Sequence, residues 1–480
     1  MNKPFISFLC LLLFLTNPLT AGDSFTILKG RKIDYAGDSL VFLSYSNMIS
    51  FHEERVGVCA VDDSGFFECR IKLSQTKHIF IYLGVYNCYL YAQPDLVYNI
   101  QLPGRRDKSL QDLVNPYFEE TAIHLSAKVE STTNNEDVSD LEKELNFTIR
   151  AFNDAFYPYY YKYAINAYGK RVDRGELDKA ELEIKAPFDS MSHPFLVSYI
   201  EYRMGLLQHY GGQKSNKRIF GEYFEKKPVL HYNPAYMELF NQLNKNFFLA
   251  FAEENPGPKL PIVLNREKDY RKVNEILIKE ASLKNDSLRE LVLLKGLYDG
   301  IFDEKNIPSS MIQLLDSLQY HTQIDIHKQA VKDIMLEITE ILPGYKPPDF
   351  TLYNADSTLI SLSDLQGNYV YLNFCNSFGY YCIREFEYLK VIHERLKDRL
   401  KIVTILVDDS VESMEELVKS NNYPWTFLHF SNQPDVMESY DIRAYPSYFL
   451  IGPDGTLILS PAPSPVENFE PTFNRIYLDQ

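Results

Sequence analysis

The sequence has little cysteine, a shortage of positive charge and, beyond its first twenty residues, no long apolar run. Its 480 residues carry only six cysteines, so a peptide-sized or disulfide-stapled fold is excluded. Lys and Arg number 49 against 65 Asp and Glu, a formal charge of -16. That charge repels phosphate backbones and anionic lipid, so no nucleic-acid partner and no electrostatic membrane attachment are expected. No later run approaches the ~18 apolar residues of a membrane span, so no integral membrane segment is expected in the mature chain. No Gly-rich phosphate loop precedes a helix, and no His-x-x-x-His, Glu-x-x-His or Gly-x-Ser-x-Gly pattern occurs. Metals, nucleotides and serine-type hydrolysis are therefore disfavoured, and no cofactor is expected. Repeats of the helical-array kind are also missing.

At one domain per roughly 150 residues, the chain should hold about three domains. An apolar fraction of 45% with 24% charged residues is ordinary for a globular protein, and 35 Tyr and 31 Phe point to an aromatic core. The N-terminus reads Met-Asn-Lys, then an apolar stretch from Pro4 to Leu19, then Thr20-Ala21-Gly22. This is the pattern of a signal peptide over residues 1–21, cut after Ala21 or Gly22, and it places the mature chain in an extracytoplasmic compartment, the periplasm first. Cys10 lacks a small residue before it and does not look like a lipid-attachment site. Its removal leaves Cys59, Cys69, Cys88, Cys375 and Cys382, an odd count, so at least one thiol is free or pairs outside the chain.

Residues 22–104 alternate apolar and polar positions in short runs: Ser24–Leu28, Leu40–Ser44, Arg55–Val61, Phe66–Leu73 and His78–Leu83. Period two with intervening breaks predicts an all-β domain, a small sandwich. The turn Asp62-Asp63-Ser64-Gly65 folds Cys59 back to within a residue of Cys69, both on the apolar face. Two buried structural thiols are the favoured reading over a disulfide, because a bridge between adjacent strands needs particular geometry. Over residues 105–341 the period becomes 3.6, with starts at Ser192-His193-Pro194, Asn233-Pro234 and Pro308-Ser309, which predicts an all-α domain. Pro194–Tyr210, Pro234–Glu253, Ser287–Phe302 and Gln323–Leu342 each carry an apolar stripe; polar links at 131–135 and 256–258 separate segments. The run Phe156-Tyr157-Pro158-Tyr159-Tyr160-Tyr161-Lys162-Tyr163, followed by Tyr168, could be a binding platform, but aromatics on a helix usually pack, and core is the reading adopted.

From residue 342 to 480, strands alternate with helices. Asn368–Phe374 and Lys401–Val407 read as buried strands, Cys382–Leu400 and Val411–Ser420 as helices, and Trp425–Phe430 as a further strand. A hairpin, Ser447–Ile451 and Thr456–Leu459, turns at Gly452-Pro453-Asp454-Gly455. The order predicts an α/β sheet with helices on both faces. Within it, Tyr371-Leu-Asn-Phe-Cys-Asn-Ser-Phe-Gly-Tyr-Tyr-Cys-Ile-Arg-Glu-Phe386 resembles the V-L-N-F-W-A-T-W-C-x-x-C-R-x-E pattern of the TlpA and ResA branch of the thioredoxin superfamily, close to the AhpC/TSA group. Tyr440-Asp-Ile-Arg-Ala-Tyr-Pro-Ser-Tyr-Phe-Leu-Ile-Gly-Pro-Asp-Gly455 resembles the stretch with that family's cis-proline and following hairpin. The resemblance covers about the last 135 residues and implies a thioredoxin fold. A β domain and helical insert upstream also resemble exported bacterial proteins with such a C-terminus.

The resemblance implies roles position by position. The attacking cysteine's position falls on Gly379, which has no sulfur; in active members that thiol sits at a helix N-terminus, where the dipole lowers its pKa. The resolving position falls on Cys382, a poor initiator of exchange by itself. Cys375 stands at the family's first tryptophan position. It is either a small apolar filler, with Cys382 a remnant, or a stand-in that pairs with Cys382, provided the Cα separation is about 4.4–6.8 Å. Asn373, where thioredoxin proper has a buried acid, supplies no general base. Pro446 keeps its place, and the backbone at Tyr445 is what family members pair with an extended substrate strand. Two functions follow: a polypeptide- or partner-binding protein of the thiol-disulfide oxidoreductase lineage with lost or modified redox activity, or an active oxidoreductase using Cys382 with Cys375 or a partner's thiol.

Overall fold

The structure, a computed structural model, describes residues 25–478 apart from 116, 132–143, 167–171, 255–258, 409 and 432. The expected leader at 1–21, most of the 131–135 link, the 256–258 break and Tyr168 lie outside the described residues.

Period-two sequences become strands with alternate residues turned inward, as in β2 (Ser39–Tyr45) and β4 (Phe66–Ile71). With them come β1 (Thr26–Arg31), β3 (Glu53–Ala60), β5 (Lys77–Leu83), β6 (Tyr86–Ala92), β7 (Leu96–Ile100), β8 (Thr121–His124) and β9 (Ala127–Ser131). They form two sheets, in the orders β4-β1-β7-β9 and β3-β2-β5-β6-β8. Leu28, Cys69, Tyr98 and Val129 from the first sheet meet Phe42, Ile79, Cys88 and Leu90 from the second in one core. This is sandwich packing.

Two expectations need correction here. Strand structure does not stop at 104: β8 pairs parallel to β6, and β9 antiparallel to β7, so the sheets extend to Ser131. β8 is four residues long and is ordered by an edge pairing, which leaves no periodic signal in its own sequence. The Asp62–Gly65 turn is tight, with Gly65 N–H donating to the Asp62 carbonyl at 2.8 Å and Gly65 at φ +79°. The strands it joins nevertheless part company. β3 pairs with β2 and β4 with β1, so the turn crosses from one sheet to the other.

The 3.6-residue periods become helices Pro194–Gly211, Pro234–Leu243, Asp286–Ile301, Pro308–His321 and Asp325–Thr339, preceded by Leu145–Asn166. Asn233 Oδ1 accepts from the N–H groups of Ala235 and Tyr236, which fixes one start. The single helix expected over Pro234–Glu253 is two, broken between Leu243 and Phe247. Asn244 Nδ2 donates to the Phe240 carbonyl at 2.8 Å, and Asn246 adopts φ +54°, both of which compete with continuing the helix. Of the rings in the aromatic run at 156–163, Phe156 and Tyr163 are fully buried and Tyr161 is well exposed. The buried Arg203 guanidinium lies over the rings of Phe156, Tyr157 and Tyr199 and pairs with Glu238.

Met48, Ile49 and Tyr91 reach from the strand region into the helical core. The Asn146 side chain clamps the Tyr91 backbone, accepting its N–H at 2.7 Å and donating to its carbonyl at 3.1 Å.

The C-terminal region is one sheet in the order β11-β10-β14-β13-β12-β15-β16, comprising β10 (Thr351–Asn354), β11 (Leu359–Ser361), β12 (Tyr369–Cys375), β13 (Leu400–Leu406), β14 (Thr426–His429), β15 (Ser447–Ile451) and β16 (Leu457–Leu459). β12, β13 and β14 run parallel, and β15 is antiparallel to β12. Every residue of β12 is buried, because apolar clusters cover both faces. Helices Tyr380–Leu396 and Phe469–Leu478 line one face through Phe386, Leu389, Phe469 and Phe473. Helix Pro434–Ser439 lines the other through Val436 and Met437.

Candidate functional site

β12 carries the chain to Cys375 in the middle of the sheet, and helix Tyr380–Leu396 starts after Gly379. Gly379 is the N-cap residue, at φ -79° and ψ 113°, an extended conformation open to any residue. Cys382 lies in the first turn. Cys375 and Cys382 are both fully buried, unbridged thiols. They are neighbours in one buried cluster, and the Cys382 sulfur accepts the Asn376 N–H at 3.4 Å. Burial, then the neighbouring Cys382 sulfur, pushes the Cys375 thiol well above its ordinary value. A sulfur that is buried and protonated is a poor attacker of an external disulfide.

A Cβ on Gly379 would stand 3.5 Å from Cys382 Sγ and would collide with Asn376 Oδ1. The Asn376 amide, the end of a flexible side chain, thus stands in space that a side chain at 379 would enter, and it would have to turn aside. Its Oδ1 is buried and has no hydrogen-bond partner among the described residues, an arrangement that costs about 1–3 kcal/mol. The loop is pinned by Ser377, whose N–H donates to the buried Asp408 Oδ1 at 2.8 Å. Asn373 is buried in β12, its Nδ2 donating to the Val403 carbonyl at 3.4 Å.

The Tyr445–Pro446 peptide is cis. β15 follows at once, with Ser447 opposite Phe374, so Pro446 lies beside the end of β12 and the cysteine pair. Burial pushes the Tyr445 phenol up to about 12, with the Cys382 and Cys375 sulfurs adding to the shift. Gly379, Cys382, Cys375, Tyr445 and Pro446 are therefore brought together.

Sequence reasoning missed what surrounds them. Phe378, Tyr380 and Tyr381 are 71%, 73% and 61% exposed, a run of apolar rings facing water around the helix start. Rings of this kind usually pack inward, and they could have been singled out because the helix buries its opposite face. A cavity of about 590 Å³ adjoins Tyr445, between the proline loop and the strand region, walled by Tyr82, Phe118, Glu53 and Glu438.

Residues 343–460 match the AhpC/TSA family. The thiol-disulfide oxidoreductase ResA of Bacillus subtilis (strain 168) is 31% identical over 121 residues, covering 25% of this chain and 66% of that protein. ResA of Bacillus anthracis is 25% identical over 117 residues, covering 24% of this chain and 66% of that protein. The chain thus spans slightly less than two thirds of these relatives. A solved thioredoxin domain of a thiol-disulfide oxidoreductase from Bacteroides vulgatus is 22% identical, covering 28% of this chain and 98% of that one, with a TM-score of 0.27. The C-terminal region is a thioredoxin-superfamily domain. Its matches fall with the AhpC/TSA family and with ResA-type thiol-disulfide oxidoreductases. Among the described residues, no helix is long and apolar enough to cross a membrane.

Proposed function

We propose that this is an extracytoplasmic member of the thiol-disulfide oxidoreductase lineage whose thioredoxin domain binds extended polypeptide, or a partner protein, without running a two-cysteine exchange cycle. One observation carries the reading: Asn376 fills the nucleophile's place over Gly379, while both nearby sulfurs are fully buried. Thiolate attack, the first step of exchange, then has no accessible sulfur in the thioredoxin domain. Binding keeps its elements. The cis Tyr445–Pro446 peptide offers backbone for strand pairing, and Phe378, Tyr380 and Tyr381 offer apolar contact. The leader pattern at 1–21 supports export, and the strand and helical regions read as separate domains that carry the thioredoxin domain.

A second reading is favoured by the neighbouring sulfurs: Cys375 and Cys382 lie in the same buried cluster and can close a disulfide between themselves. Alkylation of the native chain before and after reduction, with both residues mapped by mass, separates the two. Unreactive, permanently reduced thiols together with saturable binding of a carboxymethylated, unfolded polypeptide support the first. A reversible Cys375–Cys382 bridge with exchange activity lost in Cys382→Ala supports the second.

A further inference from the structure

The strand region holds a second sulfur pair, remote in sequence from the thioredoxin domain. Cys59 lies near the end of β3 and Cys69 in β4, so the two belong to different sheets. The Asp62–Gly65 turn brings the sheets together at this corner. Cys69 is buried, but Cys59 is partly open to solvent. Position is fixed by Gly57, two residues before Cys59 and on the same face of β3. A Cβ on Gly57 would stand 2.5 Å from Cys69 Sγ, so the sulfur rests directly on the β3 backbone, in space left by the missing side chain. Cys59 packs against the core cluster that contains Cys69, and the two sulfurs act on one another, the Cys59 thiol lying below its ordinary value and that of Cys69 above it. Since β3 pairs with β2 and β4 with β1, a bridge here would join the two sheets to one another.

We propose that Cys59 and Cys69 form a reversible disulfide that closes the corner between the two sheets, with Cys59 as the sulfur that meets an external disulfide and Cys69 as the one that resolves. The Cys59 thiolate attacks one sulfur of the oxidant RS–SR, forming Cys59–S–S–R and expelling RS⁻. Cys69 then gives its proton to solvent and attacks the Cys59 sulfur, forming the Cys59–Cys69 bond and expelling the second RS⁻. The protein loses two electrons and two protons, and the oxidant disulfide becomes two thiols.

Arg55 and Arg70 flank the pair, so tryptic cleavage leaves both sulfurs on one peptide, Val56–Arg70, separate from Cys375 and Cys382. The test incubates the reduced full chain with glutathione disulfide, quenches in acid, alkylates and maps. The expected result is a Val56–Arg70 peptide that resists alkylation, is two hydrogens lighter and recovers both labels after reduction, with a rise in the thermal midpoint of the bridged chain. Cys69→Ala should accumulate the Cys59–glutathione mixed disulfide, whereas Cys59→Ser should leave Cys69 unmodified. If either variant fails to fold, the wild-type map decides alone. Recovery of the wild-type peptide with both cysteines alkylated under excess oxidant, or with glutathione held on Cys59 and no bridge, overturns the proposal.

Discussion

Asn376 Oδ1 lies where a Cβ on Gly379 would have to go. The loss of the nucleophile is therefore matched by a neighbour that has taken its volume, at a position where the family pattern has alanine. Restoring the sulfur alone should be insufficient. Gly379→Cys is expected to be less stable than Asn376→Ala/Gly379→Cys by about 0.5–1.5 kcal/mol, the order of a side chain forced off its rotamer, because the Asn376 amide must turn aside. The double variant should form a 379–382 disulfide and reduce a disulfide substrate above the wild-type background, as followed by thiol release.

The exposed rings should matter for binding and not for folding. Serine at Phe378, Tyr380 and Tyr381 together is expected to change stability by no more than about 0.5 kcal/mol per site. Affinity for a carboxymethylated, unfolded polypeptide should fall about tenfold, measured by fluorescence anisotropy.

Burial of ionisable groups around the site gives an alkaline limit. Cys375 and Tyr445 both have pKa values raised above their ordinary 9.0 and 10.0, Tyr445 to about 12. Their contribution to stability is complete below the ordinary values and is lost as pH rises towards the folded ones. The urea midpoint should therefore decline from about pH 9 upward, and Tyr445→Phe should flatten the part of the decline between about pH 10 and pH 12.

At the join between the strand and helical regions, Asn146→Ala removes both partners of the buried Tyr91 backbone. A loss of about 2–4 kcal/mol is expected from denaturant unfolding, because two buried polar groups go unsatisfied. Asn146→Asp should recover less than half of that loss, since a carboxylate cannot donate to the Tyr91 carbonyl.

Much of this architecture is legible in the sequence because burial on one or two faces writes a period into it. β12 and β13 are mostly apolar, with Asn373, Lys401 and Thr404 the exceptions, as suits strands covered on both sides, and the segment Tyr440–Gly455 marks the proline loop and hairpin. What stayed hidden depends on long-range placement. β8 owes its existence to β6, and β10 and β11 are only four and three residues long. The divergence of β3 and β4 into separate sheets follows from pairings with β2 and β1 that the turn between them does not encode. At the site, the glycine was visible but its occupant was not: Asn376 is unremarkable in sequence, and its role emerges only once the loop is folded against the helix start. Phe378, Tyr380 and Tyr381 are likewise ordinary apolar letters until their exposure is known.

The most direct test of a binding site that does not exchange is trapping. The reduced full chain, in a Cys59→Ser background that removes the partly exposed sulfur of the strand region, is mixed with a disulfide-bonded peptide, acid-quenched and mapped at Cys375 and Cys382. The account predicts that both are recovered as free thiols while the peptide remains bound and intact. A mixed disulfide on Cys382, or a Cys375–Cys382 bridge accompanied by reduced peptide, would contradict it.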